Sequence, residues 1–283
     1  MNKFENLHEC FLSELQAITH FGNYVNSNGT SQTELLFRSM CIKDPTKLSI
    51  SIPARKFNEN YSLMEFLWYL SGNRKTNNIG KCANIWLKIK DDQNEVESNY
   101  GSYILGQQWD WILNELTSDR DSRRATIVIH QPHHKTKNES DLPCTQYIQF
   151  FIRDNKLHMG VNMRSNDIIF GFCNDVYTFS LFQQLMLNDL NEFISEHCTD
   201  TEKVELGHYY HQAGSLHLYD MHYDMRDEIL RQASHPIDEK VAKMKAGITT
   251  NYIKQTQCFL PDVDMTKPEL VEFTNSKIKE MFE

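Results

Sequence analysis

Cys144 lies in the segment Leu142-Pro143-Cys144-Thr145, directly before a run of residues that predicts a β-strand. A cysteine at such a junction is often only a small packing residue, because free cysteines are usually buried. Arg123, Arg124 and Arg164 favour a second interpretation, in which positive charge binds a phosphate and lowers the pKa of the thiol. A thiolate is a competent nucleophile for addition to a ring carbon. The sequence therefore makes Cys144 a candidate nucleophile beside an anion-binding site.

A second polar cluster follows within twelve residues of the sequence. It contains, in order, Arg164, Ser165, Asn166, Asp167, Gly171, Asn174 and Asp175. An ordinary surface loop rich in turn-forming residues would have a similar composition. Guanidinium, hydroxyl, amide and carboxylate groups so close together are nevertheless suited to a phosphorylated heterocycle, which presents both donors and acceptors.

His217 and Tyr219 lie two residues apart in a segment, residues 216–219, that predicts a short strand. Alternate residues of a strand point to the same side, so these two side chains can grip a sugar hydroxyl together. A solvated strand face with alternating polar residues is the simpler explanation.

Helices are predicted at two places that position these residues. The first covers residues 61–70, with Glu65 inside it and Ser71-Gly72-Asn73 as its stop. The second covers residues 176–193, with Asp175 as its N-cap. Residues 224–283 are charged and helical in places, with Pro236, Pro261 and Pro268 as breaks.

Strands are predicted between the helices. They cover residues 125–130, 147–153 and 157–163, and the last two are joined by Asp154-Asn155-Lys156, which is typical of a hairpin turn. Because helical and strand periodicity alternate without a regular βαβ order, the fold class is predicted to be α+β.

The composition indicates a globular protein and narrows its partners. The chain has 283 residues, of which 40% are hydrophobic and 24% charged, enough for a sizeable core. It shows neither an apolar run of about eighteen residues nor a signal-peptide pattern, so we expect a cytoplasmic protein without a membrane segment. The seven cysteines form no CxxC pair, which is typical of free thiols in a reducing compartment. The net charge of −9 argues against a broad nucleic-acid-binding surface.

The order of the motifs is more specific than any one of them. Ser122-Arg123-Arg124, the LPC segment, a strand, RSxDxxxG from Arg164, an Asn/Asp position and HxY from His217 follow one another as in thymidylate synthases, which the chain resembles over residues 27–222. The resemblance implies one catalytic domain over residues 1–283, with an α+β fold in which a mixed twisted sheet packs against helices. It also implies a homodimer packed sheet to sheet, 5,10-methylenetetrahydrofolate as cofactor and a pyrimidine nucleoside monophosphate as substrate.

Position by position, the resemblance implies a role for each candidate residue. Cys144 matches the nucleophile, Glu65 the acid/base that works through water, and Tyr100 the tyrosine near the reacting ring. The phosphate would be bound by Arg164 and Ser165, with Arg123 and Arg124 supplied by the partner subunit. The ribose 3′-hydroxyl would be bound by His217 and Tyr219, and the folate by Trp86, Asp167 and Gly171.

Two departures from the family pattern concern the base. Thr145 follows Cys144 where thymidylate synthases have histidine, and Asp175 stands where they have asparagine. Uracil presents an N3–H donor and an O4 acceptor, whereas cytosine presents an N3 acceptor and an N4 amino donor. An ionised aspartate only accepts hydrogen bonds, so Asp175 can accept from N4–H and share a proton with N3. Both departures resemble the deoxycytidylate hydroxymethylase subgroup, which implies hydroxymethylation of dCMP.

A third departure concerns the N-terminal phosphate loop. The family has arginine two residues before a glycine, whereas Ser27-Asn28-Gly29 lacks it. Phosphate binding would then rely on the other arginines or on Lys56.

Twelve histidines invite a metal-site interpretation. The candidates are His130, His133, His134, His208, His211 and His217. None is spaced as in HExxH, so solvated loop histidines are the preferred explanation and no metal is expected. Zinc-dependent cytidine deamination needs HxE and PCxxC motifs, and Pro143-Cys144 lacks the second cysteine, which rejects that function.

Several functions stay open. A nucleotide-binding regulatory protein is the non-enzymatic alternative, but the combination of Cys144, Glu65 and Tyr100 argues against it because binding alone needs no thiolate. Among enzymes, three steps are shared: addition of Cys144 to C6, attack of C5 on the folate one-carbon unit and elimination of tetrahydrofolate. The exocyclic methylene that remains then takes water to give hydroxymethyl or hydride from folate to give methyl. By resemblance we expect water, with dCMP as substrate. Hydroxymethylation of CMP, against which Ser165 argues, and methylation of dUMP or dCMP are the alternatives.

Overall fold

The computed structural model describes residues 1–27, 29–137, 141–197, 202–238 and 240–283. The strands are β1 (Asn2–Phe4), β2 (Asn23–Ser27), β3 (Thr30–Ile42), β4 (Thr126–Val128), β5 (Thr145–Arg153), β6 (Lys156–Asp167) and β7 (Glu205–Tyr219). The longer helices are α1 (Leu7–Phe21), α2 (Glu59–Ser71), α6 (Gln107–Ser118), α8 (Gly171–His197), α9 (Tyr223–Arg231), α10 (Thr250–Thr256) and α11 (Lys267–Phe282). Short helices are α3 (Ile79–Cys82), α4 (Ile85–Ile89), α5 (Gly101–Ile104) and α7 (His134–Lys137), with 3-10 turns at Pro53–Arg55 and Asp220–His222.

The strands of the described residues form one mixed sheet. Its order is β1-β3-β7-β6-β5-β4, and β2 also pairs with β3. The pairs β1–β3 and β6–β7 are parallel, while the others are antiparallel. A mixed sheet accompanied by helices confirms the predicted α+β class.

The β5–β6 hairpin brings Cys144 and Arg164 together. Asp154 and Asn155 have φ values of 50° and 56°, the left-handed values that a two-residue type I′ turn requires and that Asp and Asn tolerate. This turn sets the register of the ladder, and at its far end the Arg164 N–H donates to the Cys144 carbonyl at 2.8 Å. The predicted hairpin is confirmed.

Helices bury one face of the sheet. α1 and α8 pack against it, and α2 and α6 pack against α8. On α8, Phe182 meets Phe66 of α2 with 5.0 Å between ring centroids. Burying a side chain of this size stabilises the fold by roughly 1.5–3 kcal/mol. Glu65 precedes Phe66, so the packing of α2 against α8 also carries Glu65 into the interior.

The C-terminal segment attaches to the same helix. α11 packs against α2, and the Leu260 N–H donates to the Leu67 carbonyl at 3.0 Å. Residues 240–283 therefore contact the helix that carries Glu65.

The opposite face of the sheet, here called the outer sheet face, carries Tyr147, Phe151, His158, His208 and Tyr210. The His158 ring lies 5.3 Å from that of His208 and 6.1 Å from that of Tyr210. Tyr147 is 38% exposed, and the other four are half-buried. Aromatic and imidazole rings on this face are thus only partly covered.

Three predicted element boundaries are wrong. β4 covers only part of the predicted residues 125–130, and the predicted strand 216–219 is the end of the much longer β7. α8 begins at Gly171, so Asp175 lies inside the helix and is not its N-cap. The Asp167 carboxylate explains this early start, because it accepts the backbone N–H groups of Ile169 and Phe170 at 3.0 Å each and turns the chain into the helix.

Among the residues that the structure describes, none of the helices has the length and apolar character needed to cross a bilayer.

Candidate functional site

Cys144 lies directly before β5, and its backbone contacts a tyrosine hydroxyl. The Tyr100 OH accepts the backbone N–H groups of Cys144 and Thr145 at 3.3 and 3.5 Å. Burial raises the pKa of the Cys144 thiol, although the positive charge of Arg164 opposes that shift. The expectation that arginine charge leaves this thiol with a lowered pKa is therefore wrong for the chain alone, because desolvation outweighs the single nearby guanidinium.

Arg164 braces the segment that carries the thiol. Its Nε donates to the Pro143 carbonyl at 3.2 Å and its guanidinium also donates to the Leu142 carbonyl at 2.7 Å. The residue is exposed, so the outer edge of the guanidinium faces solvent. Ser165 follows it on β6 and is half-buried.

Arg123 and Arg124 are both exposed and precede β4. The Arg124 guanidinium pairs with Glu115, with 2.8 Å between Nε and Oε1. Neither arginine is among the charges that act on the Cys144 thiol. Within one chain, the structure does not bring this pair to the candidate nucleophile.

Glu65 lies on α2, which begins after the Asn58 side-chain cap and ends at Gly72 in the left-handed conformation. The carboxylate accepts from the Tyr61 hydroxyl at 2.8 Å and from the Thr178 hydroxyl at 3.4 Å. Burial raises the pKa of Glu65 to about 7, despite these two donors. An acid with this pKa exchanges protons readily near neutral pH.

Asp175 faces Glu65 from the first turns of α8. Its Oδ2 accepts from the Asn166 amide at 2.7 Å. Burial raises the pKa of Asp175 well above its ordinary value, and the nearby Glu65 carboxylate adds to that effect. Two carboxyl groups in one desolvated site favour the protonated form of at least one of them.

His217 and Tyr219 lie on the same side of β7, as predicted, with 4.8 Å between ring centroids. His217 is 3% exposed, and within the described part of the chain neither ring nitrogen has a hydrogen-bond partner. Burial lowers the pKa of His217. Cys144 and Arg164 both act on the pKa of Tyr219, so this pair belongs to the same site, and His217 has hydrogen-bonding capacity to offer a ligand.

The three residues predicted to contact folate lie around the carboxylates. Trp86 is 7% exposed, its indole N–H donates to the Tyr61 hydroxyl at 3.0 Å, and its ring meets Trp68 edge-on at 4.8 Å. Asp167 holds the turn before α8, and Gly171 begins that helix. Most of the Trp86 ring is covered, so the surface it offers for stacking is small.

Two residues of the site have no individual role in the sequence prediction, although Asn166 belongs to the predicted polar cluster. Tyr61 links Trp86 to Glu65, and its spacing of four residues from Glu65 on a helix was the available sign. Asn166 binds Asp175 through its side chain, and nothing in its own sequence position distinguishes it. In the N-terminal phosphate loop, Asn28 lies outside the described residues, while Lys56 is exposed and has a φ of 49°.

The histidines are not all solvated, contrary to expectation. His134, His211 and His217 are at most 3% exposed. Ligand atoms of Glu97, His133 and His134 lie within 4.8 Å of one another. His134 has both nitrogens engaged, since Nδ1 accepts the Gln131 N–H at 3.1 Å and Nε2 lies 2.8 Å from the Tyr103 hydroxyl. His134 and His211 are therefore packed into hydrogen-bonded structure.

Comparison with known proteins identifies the family. The family model described as thymidylate synthase matches residues 9–267. The chain belongs to the thymidylate synthase family. As a member, it is a folate-dependent transferase that places a one-carbon unit on C5 of a pyrimidine nucleotide.

Relatives from phages and bacteria agree with the membership. The chain is 30% identical over 225 residues to the deoxycytidylate 5-hydroxymethyltransferase of Enterobacteria phage T4, covering 76% of this chain and 87% of the relative. It is 31% identical to the enzyme of the same name from phage T2, covering 72% and 82%. Thymidylate synthase 1 of Bacillus spizizenii is 25% identical, with 56% of each chain covered. A thermostable thymidylate synthase A from Bacillus subtilis shares the fold with a TM-score of 0.61 at 19% identity, covering 79% of this chain and 84% of that one.

Proposed function

We propose that the protein is a deoxycytidylate 5-hydroxymethyltransferase, which converts dCMP, 5,10-methylenetetrahydrofolate and water to 5-hydroxymethyl-dCMP and tetrahydrofolate. The choice of base rests on Asp175, which by resemblance matches the asparagine of thymidylate synthases and whose pKa is raised by burial and by Glu65. The phage T4 and T2 relatives bear the corresponding name, which supports the same direction.

A protonated Asp175 complements cytosine. One carboxyl oxygen donates its proton to N3 while the other accepts from the N4 amino group, so both polar edges of the base are satisfied. If the carboxyl proton stays on the oxygen that faces N3, uracil would set its own N3–H against that proton, and an unsatisfied buried pair costs roughly 1–3 kcal/mol. A proton shared with N3 also withdraws electrons from the ring, which makes C6 more electrophilic.

Cys144 then acts as the nucleophile toward C6. Burial raises the pKa of its thiol, so the thiolate must be favoured by positive charge close to the sulfur. Arg164 is the cation that already acts on the thiol, and we assign the phosphate to Arg164 and Ser165. Tyr100 holds the backbone of Cys144 and Thr145 and thereby keeps the sulfur at the start of β5.

His217 and Tyr219 are assigned to the ribose. The two nitrogens of the buried His217 ring have no partner in the described part of the chain, so a sugar hydroxyl would supply one. Glu65, with its pKa of about 7, is assigned the acid/base role, since it can hold or release a proton near neutral pH beside Asp175.

The residues around Asp167 fit a folate. Arg55 is 2% exposed, its guanidinium lies 5.2 Å from the Phe170 ring centroid, and its Nε has no hydrogen-bond partner among the described residues. A buried cation with an unpaired donor suits the anionic tail of a folate. Trp86, Asp167 and Gly171 would hold the ring system, and the bound cofactor supplies the one-carbon unit. Asp167 keeps acceptor capacity for it beyond the two N–H groups that it already binds.

Two copies of the chain would complete the site. The outer sheet face is only partly covered, and a symmetric pair packed on it would bury its rings. Arg123 and Arg124, which do not reach Cys144 in their own chain, would then bind the phosphate of the neighbouring site. We treat residues 1–283 as one catalytic domain, because α11 packs on the helix that carries Glu65.

Product analysis tests this function. The protein is incubated separately with dCMP, CMP and dUMP, each with 5,10-methylenetetrahydrofolate, and the mass of the nucleotide product is measured by mass spectrometry. We expect a hydroxymethyl product from dCMP. A methyl product, or turnover only of CMP or dUMP, would identify one of the alternative enzymes instead.

A further inference from the structure

Asp175 is the end of a buried chain of hydrogen bonds that reaches away from the site. The Asn166 amide donates to Asp175 Oδ2 at 2.7 Å. His211 Nε2 lies 3.0 Å from Asn166 Oδ1, and the Tyr209 hydroxyl lies 2.9 Å from His211 Nδ1. Asn166 is 3% exposed and the other two are fully buried. We call Tyr209, His211 and Asn166 the polar chain.

The polar chain has a defined direction. Because Asn166 donates to Asp175 through Nδ2, its Oδ1 must accept, and His211 must donate through Nε2. Burial lowers the pKa of His211 to about 3, so the neutral ring has no proton on Nδ1 and accepts there from Tyr209. In the reverse direction the Tyr209 hydroxyl would need a different acceptor, and the described residues provide none. A buried O–H without an acceptor is costly, so Tyr209 locks the direction.

We propose that the polar chain determines which oxygen of Asp175 carries the proton that cytosine N3 needs. Oδ2 is held as an acceptor by Asn166, so the proton resides on Oδ1, which accepts no hydrogen bond from the described residues. Oδ2 keeps a second lone pair for the N4 amino group. Asn166, His211 and Tyr209 are thus positioning residues for base choice, and this inference rests on the proposed function.

Packing keeps the chain in place. A Cβ added at Gly171 would lie 3.1 Å from Asn166 Nδ2 and 3.5 Å from Asp175 Oδ2, so the start of α8 closes tightly over this hydrogen bond. The Phe172 ring meets His211 edge-on at 5.2 Å. These contacts hold the amide and the imidazole beside Asp175, while the Tyr209 hydroxyl sets the direction of their hydrogen bonds.

The titratable groups that face Asp175 come from several elements. They are Glu65, Tyr61 and Tyr69 on α2, Tyr100 before α5, Cys144 before β5, Asp167 at the end of β6, Cys173 on α8 and Tyr209 on β7. A test of the polar chain must leave the catalytic members of this set unchanged.

The test compares Asn166→Ala with Asn188→Ala. Asn188 on α8 also has a buried side-chain amide, which donates to the Lys245 and Ile248 carbonyls at 2.8 and 2.9 Å and not to Asp175. We expect Asn166→Ala to lower kcat on dCMP about tenfold or more, the size expected for a hydrogen bond to an ionisable group, with the dCMP Kd changed about threefold or less. Loss of this donor also raises the Asp175 pKa further, so the alkaline limb of the kcat profile should move to higher pH. Asn188→Ala should show neither effect.

Tyr209→Phe keeps the test available if Asn166→Ala fails to fold, because it removes a single hydroxyl. Without the lock, Asn166 can turn and accept from a proton on Oδ2, so kcat should fall and the alkaline limb should again move upward. The role of the polar chain would be overturned if the wild type prefers dCMP while both variants keep the wild-type kcat and the wild-type position of the alkaline limb of the kcat profile. Wild type preferring dUMP would instead overturn the proposed function.

Discussion

Replacing Glu65 by glutamine should change how stability depends on pH. The folded pKa of Glu65 is about 7 against an ordinary value of 4.5. Below pH 4.5 the folded and unfolded chains both hold the proton, so the group has no effect. Between pH 4.5 and about 7 the unfolded chain releases the proton first, so the free energy of unfolding falls as pH rises. At about 1.4 kcal/mol per pKa unit, the full loss above pH 7 is about 3 kcal/mol.

An amide at position 65 does not titrate, so Glu65→Gln should lack this loss. Urea unfolding of the unliganded protein at pH 5, 6, 7 and 8 measures the difference, and equal slopes would show that the same surface is exposed. The stability of Glu65→Gln relative to wild type should improve by about 2.5 kcal/mol between pH 5 and pH 8, because a small part of the loss has already occurred at pH 5. Glu272→Gln, which changes an exposed carboxylate on α11, is the matched control and should show no such trend. A constant gap between wild type and Glu65→Gln across this range would refute the buried, high-pKa carboxyl.

Three further outcomes follow from the site. Cys144→Ser should abolish turnover while nucleotide binding stays measurable. Release of tritium from C5 of the nucleotide by this variant at a near wild-type rate would contradict the assignment of Cys144 as the nucleophile. Tyr61→Phe removes a donor that lowers the Glu65 pKa, so the pH dependence assigned to Glu65 should move upward by about one unit or more, and an unmoved profile would contradict that link. If the two subunits share each site, mixing inactive Cys144→Ser chains with inactive Arg124→Ala chains should restore some activity. Heterodimers that form but stay inactive would count against shared sites.

Local patterns account for the parts of the fold that were predictable. The hairpin follows from Asp154 and Asn155, whose side chains tolerate the left-handed turn, and α2 follows from helical apolar spacing that ends at Gly72. Helical periodicity does not predict the start of α8 at Gly171, because that start depends on the Asp167 carboxylate accepting two backbone N–H groups. Aspartates at positions 167 and 175 are equally plausible caps in sequence, and only the fold distinguishes them.

The residues of the candidate site also divide into those that the sequence marks and those that only the fold reveals. Cys144, Glu65 and Asp175 were named because residue type and motif order mark them. The sequence favours a solvated histidine at position 211, but His211 is buried and hydrogen-bonded to Asn166. That contact depends on the parallel register of β6 and β7, whose strands are separated in sequence by the long helix α8. No local pattern encodes such a pairing, so the residues behind Asp175 emerge only from the three-dimensional structure.

Base choice by Asp175 is the central claim, and one ratio tests it most directly. The measurement is kcat/KM for dCMP divided by kcat/KM for dUMP, in wild type and in Asp175→Asn. An asparagine offers its N–H to O4 and its carbonyl to N3–H of uracil, but it has no proton to share with N3 of cytosine. Wild type should prefer dCMP, and Asp175→Asn should shift the ratio toward dUMP, with the loss on dCMP mainly in kcat because the shared proton matters most in the transition state. A wild type that prefers dUMP, or a ratio that does not move in the variant, would contradict the account.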